Sequence, residues 1–220
     1  MTKRAQTLTV AKHDNRAAFY EGGHYELNLS FEMLRDRQWQ RALETLWEDA
    51  ALYGPLTARY YPDEPIPEQV AVQVPPPTAT MVQHGQMKVG EAVVGCDVQA
   101  TRSLFECISV IIPVSIFAGL VGSPRLRQEH AELQALDTVL YDLALRLYDE
   151  VPFKIAALGY ERECQLPLEL RSDPQMRHAF LVAGNFLAQD DVLNSLEPDL
   201  SRYEQVRANL RWLAPASLDG

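Results

Sequence analysis

The chain has 220 residues, 47% of them hydrophobic, with 30 acidic against 20 basic residues and a formal charge of -10. That length and apolar content can build one well-cored domain without disulfide or metal staples. The negative charge has the wrong sign for a general binder of nucleic acid or anionic membrane, because phosphate would be repelled.

Three cysteines, Cys96, Cys107 and Cys164, are an odd number without CxxC spacing. They suggest neither a disulfide framework nor a zinc site, and a reducing cytoplasm suits them best. Met1 to Arg16 carries Lys3, Arg4, Lys12 and Arg16 but no apolar run, so it does not read as a secretory signal. Residues 1–20 read as an N-terminal arm. Residues 21–220 read as a single α+β domain with its core over 24–160.

Tyr25, Leu27, Leu29, Phe31 and Met33 alternate with Glu26, Asn28, Ser30 and Glu32, the period-two pattern of a strand with one buried face. After it, Trp39, Leu43, Leu46, Trp47 and Ala50 recur at steps of three and four, which predicts an amphipathic helix from about Asp36 to Ala51. The two tryptophans read as core packing rather than a ligand box.

From Tyr53 to Thr80 the texture changes, because seven of the 14 prolines fall there. Neither a long helix nor a central strand survives such a density. Residues 53–80 therefore read as an ordered proline-rich excursion, with polyproline II at Pro75-Pro76-Pro77 and Tyr53, Tyr60 and Tyr61 available for packing or recognition. Val70, Val72 and Val74 suggest a short edge strand within it. Met81 to Met87 and Val89 to Thr101 then read as strands, with His84-Gly85 and Gly90 as bends, and the second leads into the next strand as an antiparallel hairpin.

Cys107 to Pro124 runs for eighteen residues without a charged side chain. Its density of isoleucine and valine favours a buried strand over about 104–117, rather than a transmembrane helix, because Gly119, Gly122 and Pro124 interrupt it. Pro113 requires a bend, a bulge or a lost neighbour. Ser123-Pro124 supplies a helix start. Leu126, Leu133, Leu136, Leu140, Leu143 and Leu147 carry one long helix to Pro152, flanked by Tyr141 and Tyr148, with apolar surface to cover against the C-terminal region or a second subunit.

Phe153 to Tyr160 reads as a strand. The resulting order of strand, helix, strand, strand, long helix, strand is that of a ferredoxin-like split βαβ core, with its first and third strands central and both helices on one face. The second face then needs cover from the excursion, the C-terminal segment or a dimer partner. Residues 161–220 read as a strand/helix extension. His178 to Ala188 leans to strand, and Pro198 starts a helix whose face carries Leu200, Tyr203, Val206, Leu210 and Leu213.

Chemistry is sparsely signalled. The five histidines stand singly, no HExxH spacing occurs, and no metal or cofactor is implied. GxSxG, GxGxxG and P-loop patterns are absent as well. Cys96 and Cys107 lie on two arms of a hairpin and could approach one another, with buried inert thiols as the commoner outcome. Two readings follow. The first is a cytoplasmic, non-enzymatic protein-binding protein, a regulator, adaptor or immunity-type inhibitor, whose partner would be basic by charge and which could form a homodimer; Tyr53, Tyr60, Tyr61, Tyr141 and Tyr148 are its candidate contacts. The second is a small-molecule binder or enzyme with a pocket on the sheet face formed by His24, Glu26, Cys96, Asp97, Cys107 and His130.

Overall fold

The computed structural model describes residues 23–62, 64–103, 106–113, 131–160 and 179–214. The N-terminal arm, residues 114–117 of the long apolar stretch, the Ser123-Pro124 helix start, His130 and Cys164 lie outside the described residues. The described residues form an α+β architecture with nine strands in one sheet, in the order β2-β3-β4-β5-β1-β6-β7-β9-β8. Every paired neighbour runs antiparallel.

β1, His24–Phe31, occupies the middle of this sheet between β5, Glu106–Pro113, and β6, Ile155–Tyr160. Its alternation sends Tyr25, Leu27, Leu29 and Phe31 into the main core. Met33 does not continue the pattern as the spacing predicts. It lies beyond the end of the strand, 89% exposed. Pro113, opposite His24, is the last described residue of β5.

Two helices cover one face of the sheet and pack on each other. α1, Asp36–Trp47, buries Trp39, Leu43, Leu46 and Trp47 of the expected stripe, together with Ala42, but ends before Ala50, which is exposed. α2, Ala131–Glu150, buries Leu136, Leu140, Leu143, Ala144 and Leu147. Arg41 joins the helices by an ion pair to Glu150 at 2.9 Å, and Arg146 of α2 reaches Asp49 just past α1 at 2.6 Å.

The Trp47 ring determines how α1 sits on the sheet. Its Nε1–H donates to Gln83 Oε1 at 2.8 Å. A Cβ placed on Gly54 or on Gly85 would stand 2.6 or 2.4 Å from Trp47 Cζ3. These two glycines therefore form a slot for the indole, and Gly85 is not the bend that the sequence suggests. It lies within β3, Ala79–Val89. The turn comes at Gly90, whose φ of 60° suits the two-residue link from Val89 to Ala92. β4, Ala92–Arg102, then pairs with β5 in the predicted hairpin and, on its other side, with β3.

The proline-rich excursion is ordered over its described residues. It begins as β2, Leu52–Leu56, which carries Pro55 and is the sheet's outermost strand on this side. Such an edge tolerates proline. The chain then folds back, with Thr57 N–H donating to Glu68 O and Val70 N–H to Pro55 O, both at 2.8 Å. Val70 to Val74 does not make the expected strand, and the contact is a single bridge between Leu56 and Gln69. Tyr61, Val72 and Val74 instead pack against the main core.

The C-terminal region departs most from expectation. β7, Ala179–Ala183, is followed by the short helices α3, Gly184–Leu187, and α4, Asp190–Ser195, so the described residues 179–188 are strand and then helix. The helix expected after Pro198 is instead one 3-10 turn, Leu200–Arg202, and a hairpin of β8, Tyr203–Arg207, with β9, Leu210–Leu213. Helical spacing was misleading because Tyr203 and Leu213 are direct cross-strand partners. Leu210 joins the main core, whereas Leu213 joins a second cluster with Ile155, Phe180, Val182, Leu187 and Tyr203. One strand with two buried faces explains both leucines. Pairing β9 on β7 also satisfies a backbone edge that a helix would leave bare.

Candidate functional site

Strand alternation collects polar side chains on the sheet face opposite α1 and α2. Glu26 and Asn28 of β1, Ser109 of β5, Asp97 of β4 and Gln86 of β3 are all buried there. Register puts His84 opposite Asp97, Asp97 opposite Ile111, and Ile111 opposite Glu26. Asn28 Nδ2–H donates to Glu26 Oε2 at 3.0 Å.

Asp97 is the centre of this band, with a side chain only 7% exposed. Its Oδ1 lies 2.7 Å from His84 Nδ1, and its Oδ2 accepts from Arg59 Nη2 at 2.9 Å and Nε at 3.2 Å. A buried carboxylate needs such partners, since an unpaired charge would shed its water at a cost of several kcal/mol. A ring nitrogen that faces a carboxylate donates to it, so Nδ1 of His84 carries the proton in this contact. Arg59 comes from the excursion, so the triad also fastens that segment to the sheet.

Strands lie about 4.8 Å apart, so the Asp97 and Glu26 backbones stand roughly 10 Å from one another across Ile111. No group of three or more His, Cys, Asp or Glu residues is placed to hold a metal among the described residues. Gln86 Nε2, two positions along β3 from His84, is buried without a hydrogen-bond partner. Toward the β2 edge, Tyr53, Val82 and Val93 of the same face are exposed.

The other residues singled out by sequence fall in different places. His24 begins β1 on the same face as Glu26. Cys96 points the opposite way, into the main core, and is free. Burial, reinforced by the Asp97 carboxylate, pushes its thiol far above the ordinary range, which leaves it without thiolate at neutral pH. Cys107 shares the polar face but is disulfide-bonded, to a partner outside the described residues. The expected approach of Cys96 and Cys107 is thereby corrected: Cys107 lies opposite Thr101, five residues along β4 from Cys96. The expectation of buried free thiols holds for Cys96 and fails for Cys107.

Tyr141 and Tyr148 are engaged within the chain. The Tyr141 ring meets Trp212 edge-on at 4.9 Å, and Tyr148 OH donates to Asn209 O at 2.8 Å. Arg207 adds an ion pair to Asp149 at 2.9 Å. The C-terminal hairpin thus covers the flank of α2 that carries Tyr141 and Tyr148. Tyr60 is half-buried, and Tyr53 is exposed on β2.

Sequence reasoning missed His84, Arg59 and a second region, the corner where β1 turns into α1. His84 was legible: it lies six residues before Gly90 and Asp97 six after Glu91, so the turn alone sets them opposite. At the corner, the Glu106 carboxylate accepts from Leu34 N–H and Gln38 Oε1 accepts from Arg35 N–H at 3.1 Å, which holds the turn rigid. Met33, Arg35, Asp36, Arg37 and Gln38 line an open groove there. A second groove shares Asp36 and Arg37 with it and continues over Val74, Pro75, Pro76 and Arg102. Nothing but adjacency in sequence could have marked this corner, because its opposite wall comes from the excursion.

No family model, curated protein or solved structure matches this chain. Among the described residues, no helix is long and apolar enough to cross a membrane.

Proposed function

We propose that this chain is a protein-binding protein and that the corner between β1 and α1 is its contact surface. The observation that carries the reading is Met33, an unbranched apolar side chain 89% exposed on a rigid turn above an open groove. An adaptable apolar anchor of this kind, rimmed by arginines, resembles the centre of a binding patch more than a solvated loop tip. The test is capture of partners from a lysate with the wild-type chain and with Met33→Glu. Because Met33 is exposed, the variant should keep its melting temperature while losing the partner. A partner set unchanged by the substitution would overturn the assignment.

We propose also that β1, α1, β4, β5, α2 and β6 constitute a ferredoxin-like split βαβ core, into which β2, β3 and the excursion are inserted. Support comes from the local order β4-β5-β1-β6 and from the packing of both helices on one face. The single domain over 21–220 belongs to the same proposal.

A second reading, a small-ligand site on the sheet face, is favoured by one observation: the buried Gln86 amide lacks a partner close to a histidine oriented by Asp97. Imidazole NMR of His84 across a metabolite panel tests it. Unmoved Nε2 and Cε1–H signals would remove the reading.

A further inference from the structure

The two grooves at the corner are joined at Asp36 and Arg37, and the charges around them are unevenly satisfied. Asp36 is held by Arg102 at 2.6 Å. Glu32, the next acid, is held by Lys154 at 3.3 Å, and Arg41, one turn further on, by Glu150 and Glu48. Arg35 and Arg37 are exposed and have no acidic partner among the described residues. The contact surface therefore presents two uncompensated cations beside apolar Met33, Val74 and Pro76, within a chain whose formal charge is -10.

We propose that this groove takes an extended acidic segment of a partner protein, with an apolar side chain seated against Met33, Val74 and Pro76 and carboxylates reaching Arg35 and Arg37. The inference rests on the binding reading above and specifies its partner chemistry. Arginine is suited to the role because its planar fork meets a carboxylate with two parallel hydrogen bonds. A nucleic acid would offer anions too, but its closely spaced phosphates would face the whole chain's negative field, and it offers the apolar lining nothing to bury. A peptide carrying two or three carboxylates around a leucine answers both features.

The experiment is an amide NMR titration of the full chain with three peptides of equal length sharing one central leucine and flanked by glutamates, lysines or serines. A short single-stranded oligonucleotide is the fourth arm. The acidic peptide should move the amides of Met33 to Gln40, Val74 and Arg102, and bind more tightly than the lysine peptide. Arg35→Glu with Arg37→Glu should weaken the acidic peptide by roughly tenfold and favour the lysine peptide, since both charges sit on the rim. Both substitutions are at exposed positions, and an unchanged melting temperature verifies the fold. Absence of shifts at the corner, preference for the lysine peptide, or tighter binding of the oligonucleotide would each overturn the proposal. If capture from lysate is lost in Met33→Glu while the acidic peptide fails to bind, the partner chemistry is wrong and the contact surface stands. If Met33→Glu leaves capture unchanged, the surface itself is wrong.

Discussion

Replacement of Gly85 by alanine tests the packing that fixes α1 on the sheet. The added Cβ would lie 2.4 and 2.5 Å from Trp47 Cζ3 and Cη2, and 2.9 Å from Tyr53 O. Carbon atoms rest comfortably at about 3.5–4.0 Å, so one partner must move by roughly an ångström. Trp47 has nowhere to go, because Gly54 approaches the same ring atom and Gln83 holds the indole N–H. Overpacking of this kind costs about 1–3 kcal/mol, and breaking the indole bond adds about 1 kcal/mol, for a total of about 3 kcal/mol. In a chain of 220 residues that corresponds to a fall in melting temperature of about 6–12 °C. Urea unfolding followed by tryptophan fluorescence and by circular dichroism measures it. Trp47→Leu should itself cost about 3 kcal/mol, yet the double variant should be milder than the sum by at least about 1 kcal/mol, because the smaller side chain vacates the slot. A Gly85→Ala protein within about 0.5 kcal/mol of wild type, or strict additivity in the double variant, would refute the slot as described.

Asp97→Ala removes the shared acceptor of Arg59 and His84 and should destabilise by about 1–3 kcal/mol, at the low end because Arg59 can return to water. Amide exchange should rise in the excursion around Arg59 more than in β4, and protection unchanged at residues 57–62 would count against the clamp. Tyr203 gives a pH prediction: burial, more than its Glu197 neighbour, raises its phenol from 10.0 to about 12. A raised folded-state value means that the unfolded chain loses the proton first, so the contribution is complete below pH 10 and is lost as pH rises toward 12. Unfolding curves from pH 9 to 12 should show a slope in wild type that Tyr203→Phe flattens; parallel curves would refute it. At neutral pH the same variant should lose only the bond that Tyr203 OH accepts from Glu197 N–H, about 1 kcal/mol.

The parts of the fold that were legible are those with one period and one buried face. β1 and α1 are of this kind, and so are the described parts of α2 and β6. β5 was readable for another reason: from Cys107 onward it is an uncharged run rich in β-branched residues, next to the centre of the sheet and buried on both faces. Two-faced burial also caused the chief failure, in β9, where Leu210 and Leu213 serve different clusters and together imitate a helical stripe. β2 was hidden because Pro55 argues against a strand everywhere except at an edge, and edge position is a property of the finished sheet. The candidate sites divide in the same way. His84 and Asp97 could be paired from the turn between them, whereas Arg59 and the Val74 to Pro76 wall arrive from a loop whose path no local pattern encodes.

Charge at the corner opposes charge of the whole, and the opposition has a kinetic consequence. Asp36, Glu48, Asp49, Asp149 and Glu150 around the two helices each face an arginine, with Arg41 shared by Glu48 and Glu150. Such pairs largely cancel at a distance, so most of the excess of ten negative charges is carried by other residues and acts at long range. An approaching acidic segment is first repelled by that field and then attracted by Arg35 and Arg37 once within a few ångströms. Salt screens the two differently, because the Debye length of about 8 Å at physiological ionic strength removes the distant term before the contact term. The association rate of the acidic peptide should therefore rise with added salt while its dissociation rate also rises. A basic partner steered by the overall charge predicts the reverse for association, a rate that falls as salt is added. Stopped-flow measurement of both rates between about 0.05 and 0.5 M salt separates the two, and an acidic-peptide association rate that falls over this range would show that Arg35 and Arg37 steer at long range and that the overall charge does not govern the approach.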